Sequence, residues 1–365
     1  MKVSEIMRVM EGIAPARLAE QWDKIGLQVG DADADVRSIL VAMTPTLDLL
    51  HEAVAHDVQM LVCHHPLIFK PLSAITAASP TECIAAGLLK HSIAFFAAHT
   101  NYDSVPGGVN DALAAALGLR EVQPLSFIDS TLVKVAVFVP AEAVEKVSAA
   151  MCDAGAGRLG AYSHCTFRIP GTGTFMPLEG SHPYVGERNK LERVAEIRIE
   201  SIVPEEDAAG VVAAIRRTHP YEMPAFDVCR LQNERREAGL GRFGVLTQPM
   251  RAADFIAEVA RKLNTSCINY VGDDARPVST VAVCGGAGGD LVKDAISHRC
   301  DVLVTGDVRY HSFLEARDRG LILADAGHAP TEWPGVVALF NRLKAALPDV
   351  HTLLSDHEMT MIRHA

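Results

Sequence analysis

Mostly apolar residues of strand-forming type fall in short runs, at 38–43 and 60–63 early in the chain and at 280–284 and 302–305 late in it. Short β-type runs of this kind predict strands. Amphipathic stretches at 47–56 and 291–298 sit between the members of each pair and read as helices. Strand, helix, strand at this length is a right-handed crossover joining parallel strands. The two units align without a gap, so that His56 falls opposite His298. With one gap, His99 and Asp103 fall opposite His328 and Glu332, which predicts an internal duplication. In open α/β sheets ligands bind at the carboxyl ends of the strands, where both His-x3-carboxylate elements would then lie.

The middle of the chain has another rhythm. A β-type run at 133–139 meets Pro140 and then a helix, and a run at 195–203 meets Pro204 and then a helix. Two β-α units with more β structure between them suggest a ferredoxin-like βαββαβ sandwich. The predicted fold class is therefore α/β: a duplicated α/β core of parallel-strand βαβ units, interrupted by a ferredoxin-like α+β insert domain. Residues 1–128 form the first half of the core, 129–231 the insert and 232–365 the second half. The charged stretch 232–236, with Gly239 and Gly241 beyond, reads as the return linker. Glycine-rich stretches at 155–160 and 171–173, with His219-Pro220-Tyr221-Glu222, suit either sandwich turns or a small-ligand pocket, the turns being favoured.

A length of 365 residues allows two or three compact units. The net charge of -11, with acidic residues dispersed, disfavours nucleic-acid binding as the main task without forbidding a local basic patch. The longest apolar candidate, 84–98, is broken by Lys90 and His91, so no membrane span is expected. The N-terminus lacks a signal peptide's apolar centre and reads as an amphipathic helix with Ile6, Met10 and Ile13 on one side. Eight cysteines without a CxxC pair suit reduced thiols and a cytoplasmic setting.

The chemistry lies in the flanking halves. His64-His65-Pro66 closes an apolar run, and adjacent histidines can reach one site only where a strand ends and bends. Two such imidazoles could each serve one metal of a closely spaced pair. Asp103 is a candidate ligand following the next strand, with His99 and Asn101 able to orient it; Thr100, Asn101 and Asp103 also suit a turn that caps a helix. His328 is a candidate ligand, and Glu332, in the first turn of a helix predicted over 332–346, could bridge two metals. Thr331 would also serve there as a helix cap. Asp307 and His311, after a strand end at Thr305-Gly306, are candidates for acid–base work or for support of a ligand, and Asp307 also suits a helix start. Imidazole mixed with carboxylate suits Zn, Fe, Mn, Co or Ni rather than Ca. The 284–290 glycine loop could cradle an anion or simply turn tightly; it has neither the dinucleotide nor the P-loop spacing.

Taken together, Trp22-Asp23 with Gly26-Leu27, His64-His65-Pro66-Leu67, His99-Thr100-Asn101 with Asp103, Thr305-Gly306-Asp307 with His311, and Gly327-His328 with Glu332 resemble the NGG-interacting-factor-three-like dinuclear metal proteins. Bacterial members are often described as homologues of type 2 GTP cyclohydrolase I. The segments around 171–175 and 219–227 look like the PII- and CutA-like insert of the longer members. The resemblance implies two divalent cations per chain, one held by His65, Asp103 and Glu332 and the other by His64, His328 and Glu332. It further implies a toroidal homohexamer and a hydrolase acting on GTP or a related purine nucleotide; in such a hydrolase His99, Asp307 or His311 could carry protons. Lys24 stands where asparagine is common and Pro330 where an aromatic or small residue is common, but no ligand is lost. Alternatives from other classes are a metal-dependent phosphoesterase or nuclease-like hydrolase, and a non-catalytic regulatory or scaffold protein whose metals stabilise the assembly.

Overall fold

The computed structural model describes every residue except 77, 128–131, 161, 234–237 and 356–365. Part of the predicted return linker, and His357 and His364, lie outside the described residues. The chain divides into two compact units, Met1–Ile128 with Arg236–Ala365, and Asp129–Arg235.

Among the described residues the first unit holds two sheets. One contains β1 (Gly26–Val29), β2 (Ser38–Ala42), β3 (Met60–Cys63) and β4 (Ala94–Ala97) from the N-terminal half, and the other β5 (Arg120–Phe127). The insert supplies β6 (Leu132–Pro140), β7 (Phe167–Phe175), β8 (Glu192–Pro204) and β9 (Phe226–Arg230). The remaining strands are β10 (Gly239–Arg251), β11 (Asn269–Val271), β12 (Pro277–Ala287), β13 (Val302–Gly306), β14 (Ile322–Asp325) and β15 (His351–Leu354). The first sheet runs β1-β4-β3-β2-β15 and the second β11-β14-β13-β12-β10-β5. β2, β3 and β4 are mutually parallel, as are β12, β13 and β14. The edges depart from the parallel expectation: β1 joins antiparallel to β4, and β5, β10 and β11 complete the second sheet antiparallel.

Burial explains the apolar runs. Every residue of β2, β3 and β4 is buried, because helices cover both faces of the first sheet. On one face α1 (Val3–Ile13) packs with the long C-terminal helix, and on the other α2 (Leu47–Ala55) and α3 (Pro80–Lys90) do. In chain order the helices that follow are α4 (Thr100–Ser104), α5 (Val109–Leu117), α6 (Val144–Asp153), α7 (Ala208–Thr218), α8 (Ala252–Lys262), α9 (Val292–Ser297), α10 (Tyr310–Asp318) and α11 (His328–Ala346). The second sheet lies between α5 with α8 on one face and α9 with α10 on the other.

The two halves also repeat in their joints. α2, α3, α9 and α10 each pass into a parallel strand through a residue of positive φ: Asp57, Ser92, Arg299 and Gly320. In each case the next amide donates five residues back, Val58 to Ala53, Ile93 to Leu88, Cys300 to Ala295 and Leu321 to Ala316. That left-handed closure satisfies the last helical carbonyls and turns the chain straight into its strand.

In the insert, β6-α6-β7-β8-α7-β9 forms an antiparallel sheet in the order β7-β8-β6-β9, with α6 and α7 packed on one face. This is the split βαβ order expected of a ferredoxin-like unit. Among the described residues no helix is long and apolar enough to cross a membrane.

Candidate metal centre

Four histidines of the first unit are oriented in the same way, each with Nδ1 held by the protein. His64 Nδ1 lies 2.9 Å from the Ala98 carbonyl and His65 Nδ1 2.8 Å from Thr44 Oγ1. His99 Nδ1 lies 2.9 Å from Asp23 Oδ1 and His328 Nδ1 2.7 Å from Asp307 Oδ2. Anchoring one ring nitrogen fixes the plane of the ring and leaves Nε2 as the ligating atom.

The Nε2 atoms of three of these rings converge on Glu332. His65 Nε2 is 3.0 Å from Oε2, His328 Nε2 3.1 Å from Oε1 and His64 Nε2 3.5 Å from Oε1. His64 Nε2 is also 3.6 Å from Asp103 Oδ1, and the Nε2 atoms of His65 and His328 are 3.3 Å apart. Ligand atoms that share a tetrahedral cation at ~2.1 Å lie about 3.4 Å from one another, which these separations match. His65, His328 and Glu332 form one group of metal-ligand geometry, and His64, His65 and His99 form another.

The fit to cations is decided by atoms that nothing else satisfies. His64 Nε2, Asp103 Oδ1 and Glu332 Oε2 are buried and have no hydrogen-bond partner. His64 is 1% exposed and Glu332 3% exposed, so water does not compensate them. Leaving three charged or polar atoms without a hydrogen bond in one buried spot is costly, and a cation between them removes that cost.

The electrostatics agree. Burial opposes charge on His64, but the Glu332 and Asp103 carboxylates outweigh it and raise its pKa to about 9. The hydrogen bond to Glu332, against the opposing effect of burial, raises His328 to about 9 as well. Burial pushes His65 down. Burial raises Asp103 to about 6, although His64 pulls it back. Glu332 is buried yet held well below the usual carboxylate range, chiefly by the charge of His64 and by the close approach of the His328 and His65 imidazoles. At pH 7 His64 and His328 therefore carry protons that a metal must displace. Metal affinity is expected to climb with pH up to about 9, with protons released on binding. Calorimetry in buffers of differing ionisation enthalpy reads that release, and a buffer-independent heat would contradict it.

The local folding differs from expectation at the C-terminal ligands. The last helix begins at His328, four residues before the predicted start, after Gly327 at φ 91°. Pro330 is tolerated in its first turn because an amide there has no helical partner in any case. His328 and Glu332 are thus i and i+4 on one helical face, and Glu332 is in the second turn rather than the first. Thr331 is not the cap: its hydroxyl accepts from the Gly286 amide at 3.0 Å and lies 2.7 Å from the His328 carbonyl.

Asp103 sits in α4, a one-turn helix directly after His99, rather than in a capping turn. Asn101 does not orient it, since its amide donates to the Ala14 carbonyl at 2.7 Å. Asn110, absent from the sequence reading, does that work: it donates to the Asp103 carbonyl and accepts from the Gly285 amide. The short contacts place Asp103 beside His64 and His328 beside His65, whereas the resemblance assigned them the other way. The anchors explain the difference, because Ala98 turns His64 towards α4 and Thr44 turns His65 towards the second half.

Asp307 follows β13 with φ 50°, and its carboxylate holds His328 Nδ1, a contact that suits the supporting role. Asp307→Asn is expected to weaken metal binding by about 10–100-fold with the fold intact, read by competition with a chromophoric chelator. His311 is not brought to the group; it is exposed on α10 with its ring 5.8 Å from Tyr310. His99 is brought to it, held by an Asp23 carboxylate that sequence reasoning quoted in a motif but gave no role. Asp23 also accepts from the Thr100 amide and hydroxyl. Although burial opposes its charge, these bonds and His99 hold its pKa far down.

The 284–290 glycine loop does not stand apart as an anion cradle. Gly285 and Gly286 belong to β12, and a methyl group on Gly286 would collide with Glu332 Oε1. Gly286 also has φ 66°, so two independent reasons require glycine there. Gly286→Ala is expected to displace Glu332 and lower the metal content per chain, measured by elemental analysis; full occupancy would refute this.

Comparison with known proteins places the chain in a family. The profile of the Duf34/NIF3 (NGG1p interacting factor 3) family matches residues 1–360. A Bacillus subtilis protein named GTP cyclohydrolase 1 type 2 homolog is 39% identical over 325 residues, 89% of this chain and 87% of its own length. A Mycobacterium tuberculosis protein of the same name is 37% identical over 338 residues, 91% of this chain and 89% of its own. The crystal structure of a Bacillus cereus protein related to NIF3 superposes with a TM-score of 0.86 at 38% identity, covering 100% of this chain and 99% of that one.

Proposed function

The chain belongs to the Duf34/NIF3 family, and on that basis we propose that it is a hydrolase using two divalent cations, acting on a purine nucleotide in the manner of a GTP cyclohydrolase. The observation that carries this reading is the set of unpartnered ligand atoms on His64, Asp103 and Glu332, buried where two half-cores meet within one unit. Likeness of the two strand–helix units and of their joints supports an internal duplication, with each half giving one His-x3-carboxylate element.

Two cations held by His64, His65, Asp103, His328 and Glu332 would polarise the attacked group and make a water acidic enough to react near neutral pH. The protein's own groups supply the rest. Asp307 and Thr44 set the ring planes of His328 and His65, so the ligands need little rearrangement. His99 faces the cluster with Nδ1 against a charged carboxylate, which fits its Nε2 to take up and return a proton. Relatives named GTP cyclohydrolase 1 type 2 homolog support the choice of a purine nucleotide over other hydrolase substrates.

The test is to purify the protein with its native metal, determine metal per chain, and incubate it with GTP while identifying products by mass spectrometry. Metal-dependent opening of the purine ring supports the proposal; GTP recovered intact by a metal-loaded protein refutes it. In the same reading the chain assembles as a homohexamer, for which light scattering gives the mass.

A further inference from the structure

The insert carries a cavity of about 540 Å³ whose walls come from its own residues. β7, alternate residues of β8, the 177–184 loop and the 221–225 segment line it, so the glycines at 171–173 and Tyr221-Glu222 border a pocket rather than serving only as turns. Three rings cluster there: Tyr221 lies 6.0 Å from Phe175 and 6.1 Å from Tyr184, centroid to centroid. Ring faces are electron-rich and attract cations.

Glu196 makes the pocket's sign. It is only 8% exposed, and Gly173, two residues along β7 from its paired residue Gly171, lacks a side chain where any Cβ would collide with the Glu196 carboxylate. Glu196, Arg198 and Glu200 alternate on β8 and so share one face. Glu200 takes both nearby cations, Arg198 at 2.9 Å and Lys134 at 3.1 Å. Among the described residues Glu196 has no cationic partner. The neighbouring imidazole, His219, is not one: its Nδ1 accepts from the Tyr221 amide while Nε2 donates to the Phe138 carbonyl, which is the neutral ring. Tyr221 Oη is buried beside the Glu196 carboxylate, which with burial pushes its pKa up, but makes no well-aligned hydrogen bond. A buried carboxylate beside three rings, in a pocket otherwise mostly apolar, leaves one charge to be met by whatever enters. An anion would confront Glu196, and the Arg198 guanidinium that also lines the pocket already pairs with Glu200 through Nη2, with its buried Nε alone left without a partner.

We propose that this cavity binds a small organic ammonium, its charged nitrogen against Glu196 and the rings of Tyr221, Tyr184 and Phe175, its apolar part along Ile169 and Phe138. The site is separate from the metal ligands and does not depend on the hydrolase reading. Calorimetric titration of the full-length protein with phenethylammonium, and with 3-phenylpropionate as its oppositely charged counterpart, tests it. Saturable uptake of the ammonium and not of the carboxylate is expected, with Glu196→Gln weakening it at least tenfold. Tyr184→Ala, at a position 56% exposed and so removable without disturbing the core, is expected to weaken it severalfold and serves if the Glu196 variant fails to fold. The proposal is overturned by lack of saturable binding, as when a neighbouring copy fills the cavity, by equal uptake of 3-phenylpropionate, or by folded variants that bind as the unsubstituted protein does.

Discussion

Glu332→Ala is expected to abolish retention of both cations, the largest loss that a single substitution at this centre should cause. Its carboxylate lies within 3.5 Å of the Nε2 atoms of His64, His65 and His328, so no other residue touches as much of the group. Removing it also removes the negative charge that offsets these imidazoles. His64 and His328 then compete for a cation with less electrostatic help. Elemental analysis should find well under one metal per chain, and hydrolysis should disappear with it. A variant that kept two metals would show that Glu332 does not join them. His65→Ala provides the graded comparison: it removes one ligand and leaves the carboxylate, so partial occupancy is expected.

The second large effect concerns stability rather than metal. Arg242 is a charged side chain only 2% exposed, and its guanidinium grips Asp111 at 2.9 and 2.8 Å. It also donates to the Gly239 and Gly241 carbonyls on β10 and to the Val105 carbonyl just beyond Asp103. Arg242→Ala leaves a carboxylate and several carbonyls without their donor, a loss of about 3–5 kcal/mol. Urea unfolding of the metal-free protein should show that drop. A loss below about 1 kcal/mol, as for an exposed ion pair, would mean that the cluster is solvated. Arg242 also pins the segment carrying Asp103 to the second half-core, so weaker metal binding should accompany the lower stability.

Much of the architecture was legible because it rests on burial. Strands covered on both faces must be apolar throughout, and that signature marked β2, β3 and β13 close to their observed limits, whereas β12 runs three residues beyond its predicted run at each end. The antiparallel edges were not legible. β5 and β10 are partly exposed and mix polar with apolar residues, so their pairing depends on neighbours that local patterning does not encode. At the centre, the histidines and carboxylates could be picked out because few other tasks require those side chains at strand ends. Their supports could not: Asp23, Thr44, Asn110 and Gly286 are ordinary residue types whose importance arises from what lies across the fold.

The start of α11 shows the same division in one place. A proline three residues into a helix and a threonine before a glutamate both suggest a later start, and only the left-handed Gly327 and the packing against β12 place His328 and Glu332 on one helical face. The sequence by itself determined which side chains are candidates for metal chemistry and which segments are buried, since residue type and hydrophobic period are local properties. Tertiary structure alone decided which imidazole faces which carboxylate, that His311 stays outside, and that Glu196 is buried without a cation, because each depends on distances between segments remote along the chain.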